Sequence, residues 1–428
     1  MNRRHFLAAG AVLGGGSIGA VALGVPDAVA LELARRESVP ELRPQVSVTP
    51  SHAEAARKHG QRVLKDARTA WDRADTSALD RHQHSSFESK LEMAESFLAD
   101  VDETTATLQT LEACQYAVGE AAKTLGAARY LNDRFDREKH VEDAERLYGG
   151  AEQFRDGIDY TCGYTDLFVV HVERAEYNAR QTRMRLDGYV EDDAQNGEEE
   201  KGDDGNPIEA AASLVSAVET AKRDLEDGKR IYRDYRSRDP VRDPFADALA
   251  RNYEDLHSQA TQMHEARDED ALDHLEDGPY LRARDRIASH GWYYGQSRLR
   301  DATRQRKLGD RVYAAVTAAE SLQEFLAWRY GTAHLEITRE TETVDASTVA
   351  DAKRTAVSEF ESAYQHAEGA PVIRRLLETA RERIDTGDDA LDWNDKEYPR
   401  AQVCGYYLLG AGHAKYAVQT ARRLTRRE

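Results

Sequence analysis

Two groups of side chains in this sequence have types and spacings that could do chemistry. The first is Glu254-Asp255-Leu256-His257, in which a carboxylate and an imidazole would lie on one face of a helix. Glu-x-x-His pairs of this kind hold metal ions in helical bundles. With His264 on the same segment, Glu254, His257 and His264 are a candidate metal site; the alternative is that they are ordinary polar side chains of an acidic surface. Further polar side chains follow closely: Asp268, Asp270, Asp273 and His274.

The second group is a basic stretch, Leu281 to Asp310, which carries eight cationic and three acidic side chains. At about 100° per residue, an unbroken helix would place one set of these side chains on a single face. Arginine pairs with oxyanions through two parallel hydrogen bonds, so this face is predicted to bind an acidic protein or another anionic partner. The alternative is that the face pairs with acidic helices of the same chain. The set consists of Arg282, Arg286, Tyr293, Arg300, Arg304 and Lys307.

Complete catalytic and cofactor motifs are missing from the sequence. It has no P-loop, no dinucleotide-binding fingerprint, no His-Glu-x-x-His and no Cys-x-x-Cys. Only one Glu-x-x-His occurs, whereas di-iron bundles use two of them together with two further glutamates. The segment Asp192 to Asp203 partly matches a calcium loop, but Ala194 replaces one ligand. We therefore expect no resident cofactor and no enzyme, with a metal- or small-molecule-binding enzyme or carrier as the alternative.

The first thirty residues have the order of a secretory signal. Asn2-Arg3-Arg4-His5-Phe6-Leu7 resembles the twin-arginine (Tat) export motif, although Asn2 and Ala8 depart from its usual Ser/Thr and Lys. An apolar, glycine-rich stretch and the small-residue site Ala28-Val29-Ala30 follow. The resemblance implies export of a folded chain, cleavage after this site, and a location outside the cell or at its surface. The alternative is an uncleaved signal that serves as a membrane anchor.

The composition is strongly acidic. The 428 residues carry a formal charge of −19, and 47 of the 59 basic residues are arginine. This resembles the proteins of extreme halophiles, in which a hydrated acidic surface keeps the chain soluble when the Debye length falls to about 3 Å. The negative charge disfavours nucleic acid as a partner. Three cysteines cannot build a disulfide framework, and Cys114 is predicted to be a buried free thiol.

The elements that position these residues are predicted to be helices almost throughout. From Ser51 onward, apolar residues recur every three or four positions, which predicts an all-α fold of long antiparallel helices in one or two bundles. Ser51 with Glu54 has the pattern of a capping box. Asn206-Pro207 has the pattern of a helix start, and Gly278-Pro279 separates two helices.

Composition also divides the chain. We predict a signal at 1–30, a proline-containing linker at 31–50, a helical part at 51–190, a mobile acidic loop at 191–206 and a second helical part at 207–428. The acidic loop is predicted because it is nearly free of apolar residues. The two helical parts could share one core. The expected function is that of an exported helical protein that binds a partner of unknown identity or forms part of the cell envelope.

Overall fold

A computed structural model describes residues 27–42, 45–101, 106–190, 206–266, 277–392 and 399–427. Across these ranges the fold is all-α, as predicted, and β-structure is limited to an isolated antiparallel bridge between Thr161 and Pro244. No helix in the described ranges is both long enough and apolar enough to cross a membrane. Most of the predicted signal and nearly all of the predicted acidic loop lie outside the described residues.

The helices make up most of the described chain. In chain order they are α1 (Asp27–Arg36), α2 (Pro50–Trp71), α3 (Arg81–Ala99), α4 (Leu108–Leu131), α5 (Arg137–Asp156), α6 (Thr165–Val190), α7 (Pro207–Arg238), α8 (Ala246–Glu265), α9 (Pro279–Ile287), α10 (Tyr294–Leu308), α11 (Arg311–Ala333), α12 (Ala346–Tyr364), α13 (Pro371–Asp392) and α14 (Arg400–Leu424). A π-helical segment, Ala288–Tyr293, joins α9 to α10, and a short 3-10 turn occupies Thr76–Ala78.

The chain divides into two compact units. Among the described residues, the N-terminal unit takes those within 45–250 and 303–316 together with 427, and the C-terminal unit takes 27–42 and those within 251–302 and 317–426. The main boundary therefore falls near residue 250 rather than at the predicted loop 191–206. The reason is helix α7, which packs against α4 and α6 within the N-terminal unit.

The N-terminal unit is built on an apolar core under helices α2, α3, α4 and α7. Trp71, Phe87, Leu91, Leu125 and Val215 belong to one buried cluster. Burial of each large apolar side chain of this kind stabilises the folded state by about 1.5–3 kcal/mol. Where α4 meets α7 the backbones come very close, since a Cβ on Gly126 would lie 2.5 Å from the carbonyl oxygen of Ala211.

The C-terminal unit is organised around helix α14. Helices α9, α12 and α13 all pack against α14, and α1 packs against α12. The apolar residues that recur every three or four positions from Val403 to Leu424 are buried, so this face of α14 packs against neighbouring helices. Helix α14 also lies very close to α11, and glycine makes this possible. A Cβ on Gly412 of α14 would lie only 2.7 Å from the Cα of Ala327 of α11.

Some of the predicted local features agree with the structure and others do not. Asn206 caps α7 by accepting a hydrogen bond from the Ile208 N–H, as predicted. Helix α2 begins at Pro50 with Thr49 as its cap, so the predicted Ser51 capping box is wrong. All three cysteines are buried free thiols, which confirms the prediction for Cys114.

The predicted linker at 31–50 is wrong over its first six residues. Residues 31–36 are helical because they continue α1, and the predicted cleavage site at Ala30 lies inside this helix. Ala30 and Ala34, four residues apart on the same face, are both buried. Packing of this small-residue face against α12 favours a helix over an extended linker.

Candidate functional site

The basic stretch is not one continuous α-helix. The π-helical segment Ala288–Tyr293 interrupts it, and a π turn holds more residues than an α turn. Side chains before and after the segment therefore do not lie on one face, as they would if the helix were unbroken. Arg286 is half-buried, whereas Arg300, Arg304 and Lys307 are exposed. The predicted single basic face is corrected accordingly: it is split at the π turn.

The other members of the predicted face have different surroundings. Arg282 is exposed and pairs with the nearby Asp277, five residues earlier in the chain, at 3.1 Å. Tyr293 is half exposed and meets the Trp292 ring edge-on, with ring centroids 5.0 Å apart. Arg300 belongs to the C-terminal unit, and Arg304 and Lys307 belong to the N-terminal unit.

A different row of side chains from the same stretch contacts other helices of the C-terminal unit, with Arg286, His290 and Arg298 half-buried and Tyr294 47% exposed. Arg286, His290, Tyr294 and Arg298 occur at every fourth position. Their contacts lie on α14 for Arg286, on α13 for Tyr294 and on α11 for Arg298. We call Arg286, His290 and Tyr294, together with Arg383 of α13 and Tyr406 of α14, the His290 site.

His290 lies at the centre of this site between two tyrosine rings. Its ring stacks on Tyr294 with centroids 5.4 Å apart, and it tilts against Tyr406 at 5.1 Å. Its Nε2 accepts hydrogen bonds from Arg286 at 3.0 Å and from the Tyr406 hydroxyl at 3.4 Å. This arrangement assigns the proton of the neutral ring to Nδ1. Within the described residues, Nδ1 has no hydrogen-bond partner.

The charge of the site resides on its arginines and not on its histidine. Burial lowers the pKa of His290 to about 4, and the guanidinium groups of Arg383 and Arg286 act in the same direction, against the weaker influence of Glu324. At neutral pH the imidazole is therefore uncharged and can donate one hydrogen bond from Nδ1.

Neither arginine of the site has a hydrogen bond to a carboxylate among the described residues. Arg286 donates to Gln402 Oε1 at 3.2 Å and lies over the Tyr406 ring at 5.1 Å. Arg383 lies over the Tyr294 ring at 5.1 Å, and its guanidinium is 3.6 Å from Glu324. The buried Nε atoms of both arginines lack acceptors in the described part of the chain.

Two buried glutamates lie beneath the site, and both pair with other side chains, although Glu324 Oε1 accepts no hydrogen bond among the described residues. Glu324 accepts a hydrogen bond from His413 Nε2 at 2.9 Å, and Arg298 lies 3.5 Å from its other oxygen. Burial raises the pKa of Glu324, but His413, Arg383 and Arg298 outweigh this and hold the pKa below its ordinary value. Glu320 pairs with Arg298 and also with Arg375 at 2.8 Å. Neither of these two carboxylates pairs with Arg286, and no other carboxylate in the described part of the chain does so.

The predicted metal residues do not come together. Glu254 is exposed, and the ring of half-buried His257 lies 5.3 Å from that of Tyr253. His264 stacks on Trp292 at 5.2 Å, and its Nε2 accepts a hydrogen bond from Gln296. Across the described ranges, no three His, Cys, Asp or Glu side chains form a group that could hold a metal ion. The neighbouring Asp268, Asp270, Asp273 and His274, like the segment Asp192 to Asp203, lie outside those ranges.

Comparison with known families places the site within a recognised region. Residues 208–426 match the family described as Domain of unknown function (DUF8264). The chain belongs to this family. Residues 51–243 also match the family described as Domain of unknown function (DUF8262), a range close to residues 45–250 of the N-terminal unit. No curated protein and no solved structure matches the chain. The His290 site lies entirely within the DUF8264 region.

Of the five residues of this site, the sequence predicts only Arg286 as a binding residue. It selected Arg286 as part of a binding face, but it did not find Arg383 or Tyr406, which lie about 90 or more residues further along the chain. The four-residue spacing of Arg286, His290 and Tyr294 was the available signal. It was not recognised because a regular α-helix would drift away from that spacing.

Proposed function

We propose that this chain is an exported helical binding protein whose His290 site holds the anionic group of a ligand or partner. One observation carries the proposal. Three N–H groups of the site, at Nδ1 of His290 and at Nε of Arg286 and Arg383, lack acceptors among the described residues. A buried donor without an acceptor costs about 1–3 kcal/mol, and an oxyanion would supply the missing acceptors.

The charge of the site supports the same conclusion. Guanidinium groups bind carboxylate and phosphate oxygens in a planar, two-point manner, and Arg286 has no carboxylate partner in the described chain. The formal charge of −19 repels a long polyanion from the rest of the surface. The site therefore favours a compact anionic group, such as a single phosphate or carboxylate, over nucleic acid.

Calorimetric titration with inorganic phosphate tests the proposal. We expect the full chain to bind phosphate, and Arg286→Gln or Arg383→Gln to weaken binding at least tenfold because each removes a charged donor. Arg381→Gln is the matched control, since Arg381 lies on the same helix and pairs with Asp385. The proposal is wrong if the unmodified chain does not bind, or if all three variants bind as it does.

Two alternative functions remain distinct from this proposal. A metal-dependent enzyme or carrier would contain a metal that is lost when His257 is replaced. A structural component of the cell envelope would assemble with copies of itself without any ligand. Neither alternative requires Arg286 or Arg383, so the phosphate titration separates both of them from the proposed binding function.

A further inference from the structure

A cleft of about 670 Å³ lies in the C-terminal unit and is lined by residues of α8, α11 and α14. This volume is in the range of small-molecule sites. Its apolar wall includes Leu322, Leu326 and Trp328. Leu322 and Leu326 are offset by two residues from Glu320 and Glu324, which places them on the opposite face of α11. No residue that lines the cleft belongs to the His290 site, and the two are joined by Trp328, which packs against Gly291 next to His290.

The polar groups of the cleft are neutral or cationic. Arg329 is exposed and has no hydrogen bond or ion pair in the described part of the chain. Arg423 donates a hydrogen bond to the amide of Gln259. The exposed amides of Gln262 and Gln419 complete the rim, and none of the described residues that line the cleft is a carboxylate. In so acidic a protein, this lining is complementary to a ligand with a negative end.

We propose that this cleft is a second binding site, which takes a small carboxylate with an apolar ring or chain. The apolar body contacts Leu322, Leu326 and Trp328, where its burial removes apolar surface from water. The carboxylate pairs with Arg329, whose guanidinium can form two parallel hydrogen bonds to it. The amides of Gln262 and Gln419 can donate to, or accept from, other oxygen and nitrogen atoms of the ligand.

Calorimetric titration with 1-naphthoate tests this inference. We expect saturable binding to the full chain and at least a fivefold loss of affinity in Arg329→Gln. Arg422→Gln is the matched control, because Arg422 is an exposed arginine on α14 that does not line the cleft. The neutral analogue 1-naphthamide should bind more weakly to the unmodified chain and should not distinguish Arg329→Gln from it.

A third variant separates the cleft from the His290 site. Met263→Trp places a larger side chain in the cleft and should abolish naphthoate binding while phosphate binding persists. Arg383→Gln should bind naphthoate normally. The inference is overturned if naphthoate does not bind, if Arg329→Gln binds as well as Arg422→Gln, or if Arg383→Gln is the variant that loses binding. None of these results contradicts phosphate binding at His290.

Discussion

At the scale of single residues, Glu176 of α6 is a carboxyl group enclosed by protein. Its side chain is fully buried and accepts hydrogen bonds from the Tyr160 hydroxyl at 2.8 Å and from the Tyr313 N–H at 2.7 Å. Burial, together with the nearby Asp310, raises the pKa of Glu176 to about 8. Glu176 is therefore largely protonated in the folded chain at neutral pH and ionised in the unfolded chain.

This difference makes stability depend on pH. Between the unfolded pKa of 4.5 and the folded pKa of about 8, the folded state holds a proton that the unfolded state has lost. The free energy of unfolding should therefore fall as pH rises through this window, by up to about 1.4 kcal/mol per pH unit. In Glu176→Gln we expect this slope to decrease, because an amide does not titrate in this range. The fold should be retained, since the amide can accept from the Tyr313 N–H and donate to the Tyr160 hydroxyl.

Urea unfolding from pH 5.5 to 8.5 measures this slope. Glu142→Gln is the control, since Glu142 is an exposed carboxylate on α5. Equal slopes in the unmodified chain and in Glu176→Gln would show that Glu176 does not hold the extra proton.

At the scale of elements, the sequence predicts the helices better than their mutual positions. The helix start at Asn206 was predictable because capping is a local interaction within a few residues. The π turn was not predictable from the sequence, because its position depends on contact with α11. A Cβ on Gly291 would lie 2.7 Å from the Cβ of Trp328, 37 residues further along the chain. The single basic face failed as a prediction for this reason.

The His290 site was partly predictable on the same grounds. Arg286 and Tyr294 lie in the basic, aromatic stretch that composition singles out. Arg383 and Tyr406 join them only because α13 and α14 pack nearby. Such packing produces no pattern in the sequence around residue 290 that could predict these two residues. The boundary between the units was missed similarly, since α7 follows the acidic segment in sequence but packs against α4 and α6.

The approach of α4 to α7 gives a test of helix packing in the N-terminal unit. Gly126→Ala should destabilise this unit by about 1–3 kcal/mol, because the added methyl group meets the backbone at Ala211 and Ala212. Gly149→Ala on the exposed side of α5 meets no atom within 4 Å and should stabilise it by about 0.5–1 kcal/mol. Thermal and urea unfolding of both variants measure the effects. Similar changes in the free energy of unfolding of the two variants would contradict the close approach of the α4 and α7 backbones at Gly126.

At the scale of the whole molecule, the acidic composition and the N-terminal motif both bear on where the protein works. The proposed function places it outside the cell or at the cell surface, and this rests on the resemblance of Arg3-Arg4 to the Tat motif. Replacing both arginines with lysine should strongly reduce export, because the paired arginines define that signal. The replacement Arg35→Lys with Arg36→Lys is the control, since it changes the arginine pair in α1.

Fractionation of the producing host measures this directly. We expect the variant at Arg3 and Arg4 to accumulate inside the cell while the control is exported normally. Equal export of both variants would remove the basis for the proposed location, and it would leave the proposed binding at the His290 site unaffected.

The most direct test of anion binding is the pKa of the His290 ring, followed by NMR of histidine-labelled protein with and without saturating phosphate. Without phosphate, we expect a pKa of about 4, because burial and the two flanking arginines disfavour the charged ring. An anion beside the ring favours the charged form, so saturating phosphate should raise this pKa by at least one unit. A His290 pKa that is the same with and without phosphate would contradict the account.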